Sequence, residues 1–125
     1  MTDSRERTRF TVEAARAVMP ELLAHADVVI EVRADLAELA AALSRGEPSP
    51  LGGVADAKAL EARLHEHLNW FSTTGLELKG WAPLLVDFPS DLGGRDVLLC
   101  WLEGERELAW YHPVELGFPG RRRLA

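Results

Sequence analysis

The feature that most constrains this chain is a long run of residues spaced alternately four and three positions apart. The run extends from Val18 to Leu43, and His25 is its one polar member. Such spacing places the residues along one stripe of an α-helix, and that stripe packs against a partner helix. The members are Val18, Leu22, His25, Val29, Val32, Leu36, Leu39 and Leu43.

We call such a run of residues a seam. A second, shorter seam with the same spacing follows a connector rich in glycine and proline, residues 46–53. Its members are Leu60, Leu64, His67 and Phe71. Two seamed helices joined by a short connector predict an antiparallel helical hairpin over residues 10–73. Thr11 is the expected N-cap of the first helix. Pro20 either separates a short turn from the main helix or kinks a single helix.

The back half of the chain changes its hydrophobic period. Short apolar runs bounded by proline and glycine predict β-strands, and they lie at residues 84–88, 97–102 and 107–112, with a possible fourth strand at 76–79. Residues 89–95 join the first two runs, and residues 103–106 predict a tight hairpin between the last two.

The predicted fold class is therefore α+β: a long antiparallel helical hairpin followed by a small three- or four-stranded antiparallel β-meander. The meander covers residues 76–118, and residues 119–125 form a flexible tail. A chain of 125 residues is expected to form a single domain.

The hairpin register predicts that both faces of the sheet are apolar. If Gly104 and Glu105 form its loop, Leu99 faces Trp110 and Val97 faces His112. One helical hairpin does not easily cover two apolar faces. The surplus predicts burial against a second subunit or against the chain's own tail, and a homodimer is expected.

The same register suggests a functional site. If Asp87 also faces Val97, then Asp87 and His112 share one face, with about 10 Å between their backbones. Imidazole and carboxylate suit zinc or iron, or proton transfer. The alternative is a structural Asp–His hydrogen bond at the end of the sheet. Arg95 and Arg121 are candidate anion-binding residues, with Trp110 as an aromatic neighbour.

Other polar residues have simpler interpretations. Cys100 is expected to be a buried structural cysteine, because no positive environment is evident near it. Glu105 is expected at the opposite end of the sheet from His112, either as a turn residue or as a ligand contact only through a second subunit. Glu61 and His65, one helical turn apart, can chelate a metal but more often form a solvated pair.

Trp70 and Trp81 are expected to be core or interface residues, or to line a pocket near the junction of helix and sheet.

Composition excludes several classes of protein. A hydrophobic content of 47% is too high for intrinsic disorder, and no apolar run is long enough to span a membrane. The start of the chain lacks the apolar core of a signal peptide. The net charge of −6 makes nucleic acid an unexpected partner. The single cysteine fits a cytoplasmic location.

Five short motifs in the back half form an ordered set, and the start of the chain, Phe10-Thr11-Val12-Glu13-Ala14-Ala15, fits the same pattern. The motifs are Leu85-Val86-Asp87-Phe88-Pro89, Gly94-Arg95-Asp96-Val97-Leu98-Leu99-Cys100-Trp101, Gly104-Glu105, Trp110-Tyr111-His112 and Gly117-Phe118-Pro119-Gly120-Arg121. The chain thereby resembles the prokaryotic family known as domain of unknown function 2203. The resemblance implies a helical hairpin followed by a small sheet, and it implies no established activity.

Two positions depart from the family pattern: Pro83-Leu84 stands where a glycine is usual, and Tyr111 stands where the family has tryptophan.

The sequence leaves two functions open. One is a protein, which could be an enzyme, that binds a metal ion or a small anionic ligand at an Asp/His/Arg cluster. The other is a non-catalytic dimeric assembly module.

Overall fold

A computed structural model describes residues 9–125 of the chain. These residues divide into two compact units: one contains 9–22 and 71–125, and the other contains 23–70. The first unit holds the sheet, and the second holds most of both helices. The prediction of a single domain stays a prediction. Within residues 9–125, no helix combines the length and the apolar character needed to cross a membrane.

The two helices lie where the two seams predict them. Helix α1 spans Val12–Arg45 and helix α2 spans Val54–Thr73. The hydroxyl of Thr11 accepts a hydrogen bond from the backbone N–H of Ala14 at 3.0 Å, so Thr11 caps α1. Helix α1 continues through Pro20, which settles the two alternatives in favour of a single helix.

Several members of the seams are buried, among them Val29 and Leu39 of α1 and Leu64 of α2, whereas Leu43 at the end of the first seam is exposed. His25 and His67 meet between them, with their Nδ1 atoms 2.9 Å apart. One imidazole therefore donates a hydrogen bond that the other accepts. Both histidines lie in the seams, as their spacing predicts.

Five antiparallel strands follow α2, and their order in the sheet is their order in the chain. They are β1 (Glu77–Trp81), β2 (Leu84–Leu92), β3 (Arg95–Leu102), β4 (Trp110–Pro113) and β5 (Arg122–Arg123). The α+β class is confirmed, as is the order of hairpin and meander. The extra strand, β5, lies in the segment predicted to be a flexible tail, because that segment pairs with β4.

Strand β2 is longer than predicted, and this corrects the β2–β3 register. The strand continues through Pro89, where the sequence suggests a connector. The N–H that proline lacks is not needed there, because β1 begins opposite Asp87 and so does not extend along Pro89. The neighbouring Phe10 donates its own N–H to the Pro89 carbonyl at 2.7 Å. The turn shrinks to Gly93 and Gly94, with φ of 60° and 84°, as in a two-residue hairpin. Asp87 consequently pairs with Cys100 rather than with Val97.

The β3–β4 register also differs from the prediction. Seven residues, 103–109, join these strands instead of a tight four-residue hairpin. The connection folds back on the sheet, because Leu108 is buried and the indole N–H of Trp101 donates to the carbonyl of Glu105 at 2.8 Å. As a result, His112 pairs with Leu98 rather than with Val97.

The two faces of the sheet differ in chemistry. We call one the apolar face; its residues are Leu84, Val86, Phe88, Val97, Leu99 and Trp101, all buried. Phe10 packs edge-on against Phe88, with ring centroids 5.4 Å apart. We call the other the polar face; its residues are Leu85, Asp87, Leu98, Cys100, Trp110 and His112.

The chain's own tail covers part of the polar face. The Arg121 guanidinium lies over the Trp110 ring, 5.0 Å from its centroid. Phe118 belongs to a short 3-10 helix, Phe118–Gly120, beside it. The sequence predicts that the surplus apolar surface of the sheet is buried against the tail or against a second subunit. The tail buries part of it, and the homodimer stays a prediction.

Candidate metal centre

Three buried side chains with metal-ligating atoms meet on the polar face. Asp87 of β2 lies directly opposite Cys100 of β3, so both side chains point to the same side. His112 of β4 pairs with Leu98, which is two residues from Cys100 and shares its face. The exposed fractions of Asp87, Cys100 and His112 are 3%, 0% and 2%, and one ligand atom from each lies within 4.8 Å of the others.

The hydrogen bonds of His112 fix which nitrogen carries a proton. Its Nδ1 lies 2.8 Å from the backbone carbonyl oxygen of Pro113. A carbonyl only accepts, so Nδ1 must donate. The Nε2 atom then points at the Asp87 carboxylate, 3.2 Å from Oδ2. In a neutral imidazole this nitrogen has a lone pair, and two acceptors face each other unless a proton or a metal ion lies between them.

Asp87 has a second atom that lacks a partner. Within residues 9–125, the buried side-chain nitrogen and oxygen atoms without a hydrogen bond are Asp87 Oδ1 and Arg121 Nε. A buried acceptor left in this state costs about 1–3 kcal/mol. The carboxylate therefore has one oxygen facing His112 and another that no N–H or O–H donor reaches, so that the Cys100 thiol, whose pKa is raised by burial and in part by a hydrogen bond to Asp87, is its neighbouring donor in metal-free protein.

Burial raises the pKa of the Cys100 thiol from 9.0 to about 12, and the nearby Asp87 charge raises it further in the same direction, whereas Arg121 opposes the shift. Without a cation, the thiol is protonated at neutral pH. A bound divalent ion reverses this preference, because a coordinated thiol loses its proton.

A family model for an uncharacterized conserved protein (DUF2203) matches residues 8–124. The chain belongs to the DUF2203 family. No curated protein and no solved structure matches it significantly.

The fold of this DUF2203 chain brings its five sequence motifs together. Each motif supplies one side chain to a single cluster, and these side chains are Asp87, Cys100, Glu105, His112 and Arg121. Glu105 lies in the turn after β3, as expected, and its backbone N–H donates to the carbonyl of Leu102 at 2.9 Å. It reaches the cluster through Arg121, a contact that the assumed tight hairpin does not predict.

Arg121 joins the tail to the cluster. Its Nη2 atom donates one hydrogen bond to the carbonyl of Cys100 at 3.1 Å and another to the Glu105 carboxylate at 2.7 Å. The guanidinium also lies between the rings of Trp110 and Phe118, at 5.0 and 4.8 Å from their centroids. Arg121 and Trp110, both predicted to bind ligand, thus lie beside the metal-ligating atoms and hold each other in place.

Other predicted site residues lie elsewhere. Arg95 is exposed at the first position of β3, five residues from Cys100, which is about 16 Å along a strand. Trp81 lines a groove of the sheet unit, whereas Trp70 stacks on His25, with ring centroids 4.3 Å apart. On α2, the Glu61 carboxylate oxygen Oε1 lies 3.8 Å from the Lys58 Nζ atom. His65 is exposed, as expected of a solvated side chain.

Sequence reasoning missed Cys100 as a potential ligand. The residue types pointed to Asp87 and His112 alone, because the assumed register placed Cys100 on the opposite face. If β2 is extended through Pro89 to the two-glycine turn, the register pairs Asp87 with Cys100. That register identifies Cys100 as the third candidate ligand.

Proposed function

We propose that this protein binds a divalent metal ion, zinc or iron, through Asp87, Cys100 and His112. The observation that carries the proposal is the approach of His112 Nε2 to Asp87 Oδ2 while Nδ1 is held by the Pro113 carbonyl. Histidine ligands commonly donate their second nitrogen to a backbone carbonyl in this way, which leaves the first nitrogen free to bind metal.

The set of donor atoms favours zinc over harder cations. One nitrogen, one carboxylate oxygen and one sulfur are ligands of zinc and iron, whereas magnesium and calcium require oxygen ligands. A thiolate and a carboxylate together also neutralise a divalent ion, so the buried cluster would carry no net charge with the metal bound. This offsets the cost of burying each charge alone.

Three protein ligands leave one tetrahedral position of zinc for water or for a small molecule. Structural zinc sites are usually closed by four protein ligands, whereas sites that bind substrates keep one position open. A cavity of about 190 Å³ adjoins Asp87, Cys100 and His112. The proposed metal is therefore one that binds a small ligand, in keeping with the function expected from the sequence.

The competing explanation is a proton in place of the metal. A protonated His112 would form a buried ion pair with Asp87, and the cluster would be purely structural. Metal content separates the two explanations. Untagged protein, loaded with zinc or cobalt and freed of excess by gel filtration, should retain one ion per chain.

The variants Asp87→Asn, Cys100→Ser and His112→Ala should each lose this ion, and the exposed His65→Ala should not. Cobalt-loaded protein should also show a thiolate-to-cobalt charge-transfer band that Cys100→Ser lacks. Retention of less than a tenth of an equivalent by the unmodified protein would leave the proton explanation standing.

A second candidate function is the dimeric assembly module. The observation that favours it is an apolar groove on the hairpin, between Leu36 and Leu43 of α1 and Val54 of α2, in which Leu43 and Val54 are exposed. Sedimentation at micromolar concentration should give a dimer mass of about twice 13.8 kDa. The Leu43→Glu variant should give the mass of the monomer. A monomer in both proteins would end this candidate. A cytoplasmic location, where Cys100 stays reduced, suits both functions.

A further inference from the structure

Two recesses adjoin on the polar face of the sheet. The first is the cavity of about 190 Å³ at the candidate metal centre. The second is a groove of about 560 Å³ beside the turn between β1 and β2. Leu85 and Phe118 line both recesses, so the cavity and the groove lie side by side at these two residues.

The two recesses differ in chemistry. Besides Leu85 and Phe118, apolar residues line the groove, including Trp81, Pro83 and Leu102. Trp81 and Phe118 have exposed fractions of 45% and 40%, although large aromatic side chains are usually better buried. An exposed apolar recess beside a polar site is a common feature of small-molecule sites, where the body of the ligand packs on aromatic side chains.

The cavity has one cationic side chain besides the candidate metal ligands. Lys79 lines it, at a point where the β1–β2 register shifts between Leu78 and Gly80. Such a bulge changes the direction of a side chain relative to its strand. The Lys79 ammonium lies 3.0 Å from the Glu77 carboxylate, and because it has three donors it can also bind an acceptor in the cavity.

Charge limits what the cavity can hold. Asp87 and a Cys100 thiolate would neutralise a divalent ion, and Arg121 is already paired with Glu105 at 2.7 Å. The cation that lines the cavity is Lys79, and because it already shares its charge with Glu77 at 3.0 Å, it suits one negative charge better than two. A carboxylate head group fits this balance, and a phosphate dianion exceeds it.

We propose that the ligand of this site is a small monocarboxylate with an apolar body. Its carboxylate would bind the open position of the metal and Lys79, and its body would pass Leu85 and Phe118 to pack against Trp81. This inference rests on the proposed metal-binding function and adds the class of ligand to it.

The test uses the full chain loaded with cobalt, whose visible spectrum reports on a ligand that enters the metal's coordination. Acetate, butanoate and hexanoate are titrated in turn, and hexanamide is the neutral counterpart of the longest acid. Affinity should rise about fourfold for each methylene group that is buried in the groove. Hexanamide should bind at least tenfold more weakly than hexanoate.

Two pairs of variants assign the parts of the site. Trp81→Ala should flatten the dependence on chain length while acetate binding stays unchanged, and Leu116→Ala, at an exposed apolar residue outside the groove and the cavity, is its control. Lys79→Gln should weaken every carboxylate several-fold without changing the binding of hexanamide. Lys58→Gln, the other lysine of the chain, should change neither.

The failure of each proposal is distinguishable. If cobalt does not bind, the proposed function fails before any acid is added. If cobalt binds but affinity is the same for acetate and hexanoate, or the same for hexanoate and hexanamide, the metal site stands and the monocarboxylate inference is overturned. Equal binding of hexanoate to metal-free protein would also overturn it, because the carboxylate would then not need the metal.

Discussion

The same three strands, β2, β3 and β4, build both faces of the sheet, yet the faces are completed in different ways. On the apolar face, Val86, Phe88 and Leu99 are fully buried and have no polar side-chain atoms to satisfy. On the polar face, Asp87, Cys100 and His112 are buried to the same extent, but one carboxylate oxygen has no partner and one nitrogen faces an acceptor. The chain alone completes the first face and leaves bonding capacity on the second.

Two histidine contacts, one between two imidazoles and one between an imidazole and a carboxylate, show a similar difference. His25 and His67 have their Nδ1 atoms 2.9 Å apart, so one proton between these two nitrogens satisfies their contact. His112 instead uses its one proton on the Pro113 carbonyl. Of these two imidazole contacts, the one whose ring proton is used outside the pair is the one at which we propose a bound metal ion.

The largest expected effect lies on the apolar face. Phe88→Ala should lower the free energy of unfolding by about 3–5 kcal/mol, because Phe88 is fully buried and packs against Phe10. Urea unfolding in the presence of a chelator measures the loss. Leu116→Ala, at a residue that is 55% exposed, should change stability by less than about 0.5 kcal/mol. A loss below about 1 kcal/mol in Phe88→Ala would contradict the buried face.

The next effect separates the polar face from the apolar one. Free zinc at one hundred times its dissociation constant should raise the free energy of unfolding by about 2.7 kcal/mol. His112→Ala should remove this gain, whereas Phe88→Ala, if enough of it folds, should keep it. Thermal unfolding with and without zinc checks both. An equal gain in the unmodified protein and in His112→Ala would place the metal elsewhere.

A smaller effect is expected at the tail. Arg121→Ala removes two hydrogen bonds and two aromatic contacts and leaves the half-buried Glu105 without its cation, which should cost about 2 kcal/mol. Arg121→Lys should not restore it fully, because an ammonium lacks the planar fork of donors. Arg123→Ala is the matched control.

Arg123 is exposed and lies 5.5 Å from the Trp110 centroid, so Arg123→Ala should cost about 0.5 kcal/mol. Urea unfolding of the metal-free variants compares the two arginines. Equal losses would mean that the tail does not depend on Arg121 in particular.

The helices could be predicted from the sequence because their signal is local. The four-and-three spacing indicates which stripe of each helix packs inward. The hydroxyl of Thr11 caps the first turn of α1. The meander could be predicted as a class for the same reason. Its register could not, because it depends on Pro89 staying within β2 and on Leu108 folding into the core, and both are properties of the tertiary structure.

The contact between Asp87 and His112 was predicted from two incorrect registers. Asp87 was expected opposite Val97 and lies opposite Cys100, a shift of three; His112 was expected opposite Val97 and lies opposite Leu98, a shift of one. Each odd shift moves a side chain to the other face of β3, and two such shifts cancel. Residue chemistry therefore identified the pair, and only the observed register adds Cys100.

The smallest expected effect concerns the Cys100 thiol in metal-free protein. Its folded pKa, about 12, is raised above the value of 9.0 for an unperturbed thiol. The stability that this neutral thiol contributes is fully present below pH 9 and is lost as the pH rises toward about 12, because the unfolded chain ionises first. One pH unit above the unfolded pKa, the loss is about 1–2 kcal/mol.

Other groups also titrate in this range, so the measurement is a difference. Urea unfolding with a chelator, repeated at rising pH, should show a steeper loss of stability in the unmodified protein than in Cys100→Ala. Zinc should reduce the difference, since the metal takes the place of the thiol proton. Parallel pH profiles for the two metal-free proteins would mean that burial on the polar face does not hold the thiol neutral, and the contrast between the two faces would then rest on Asp87 and His112 alone.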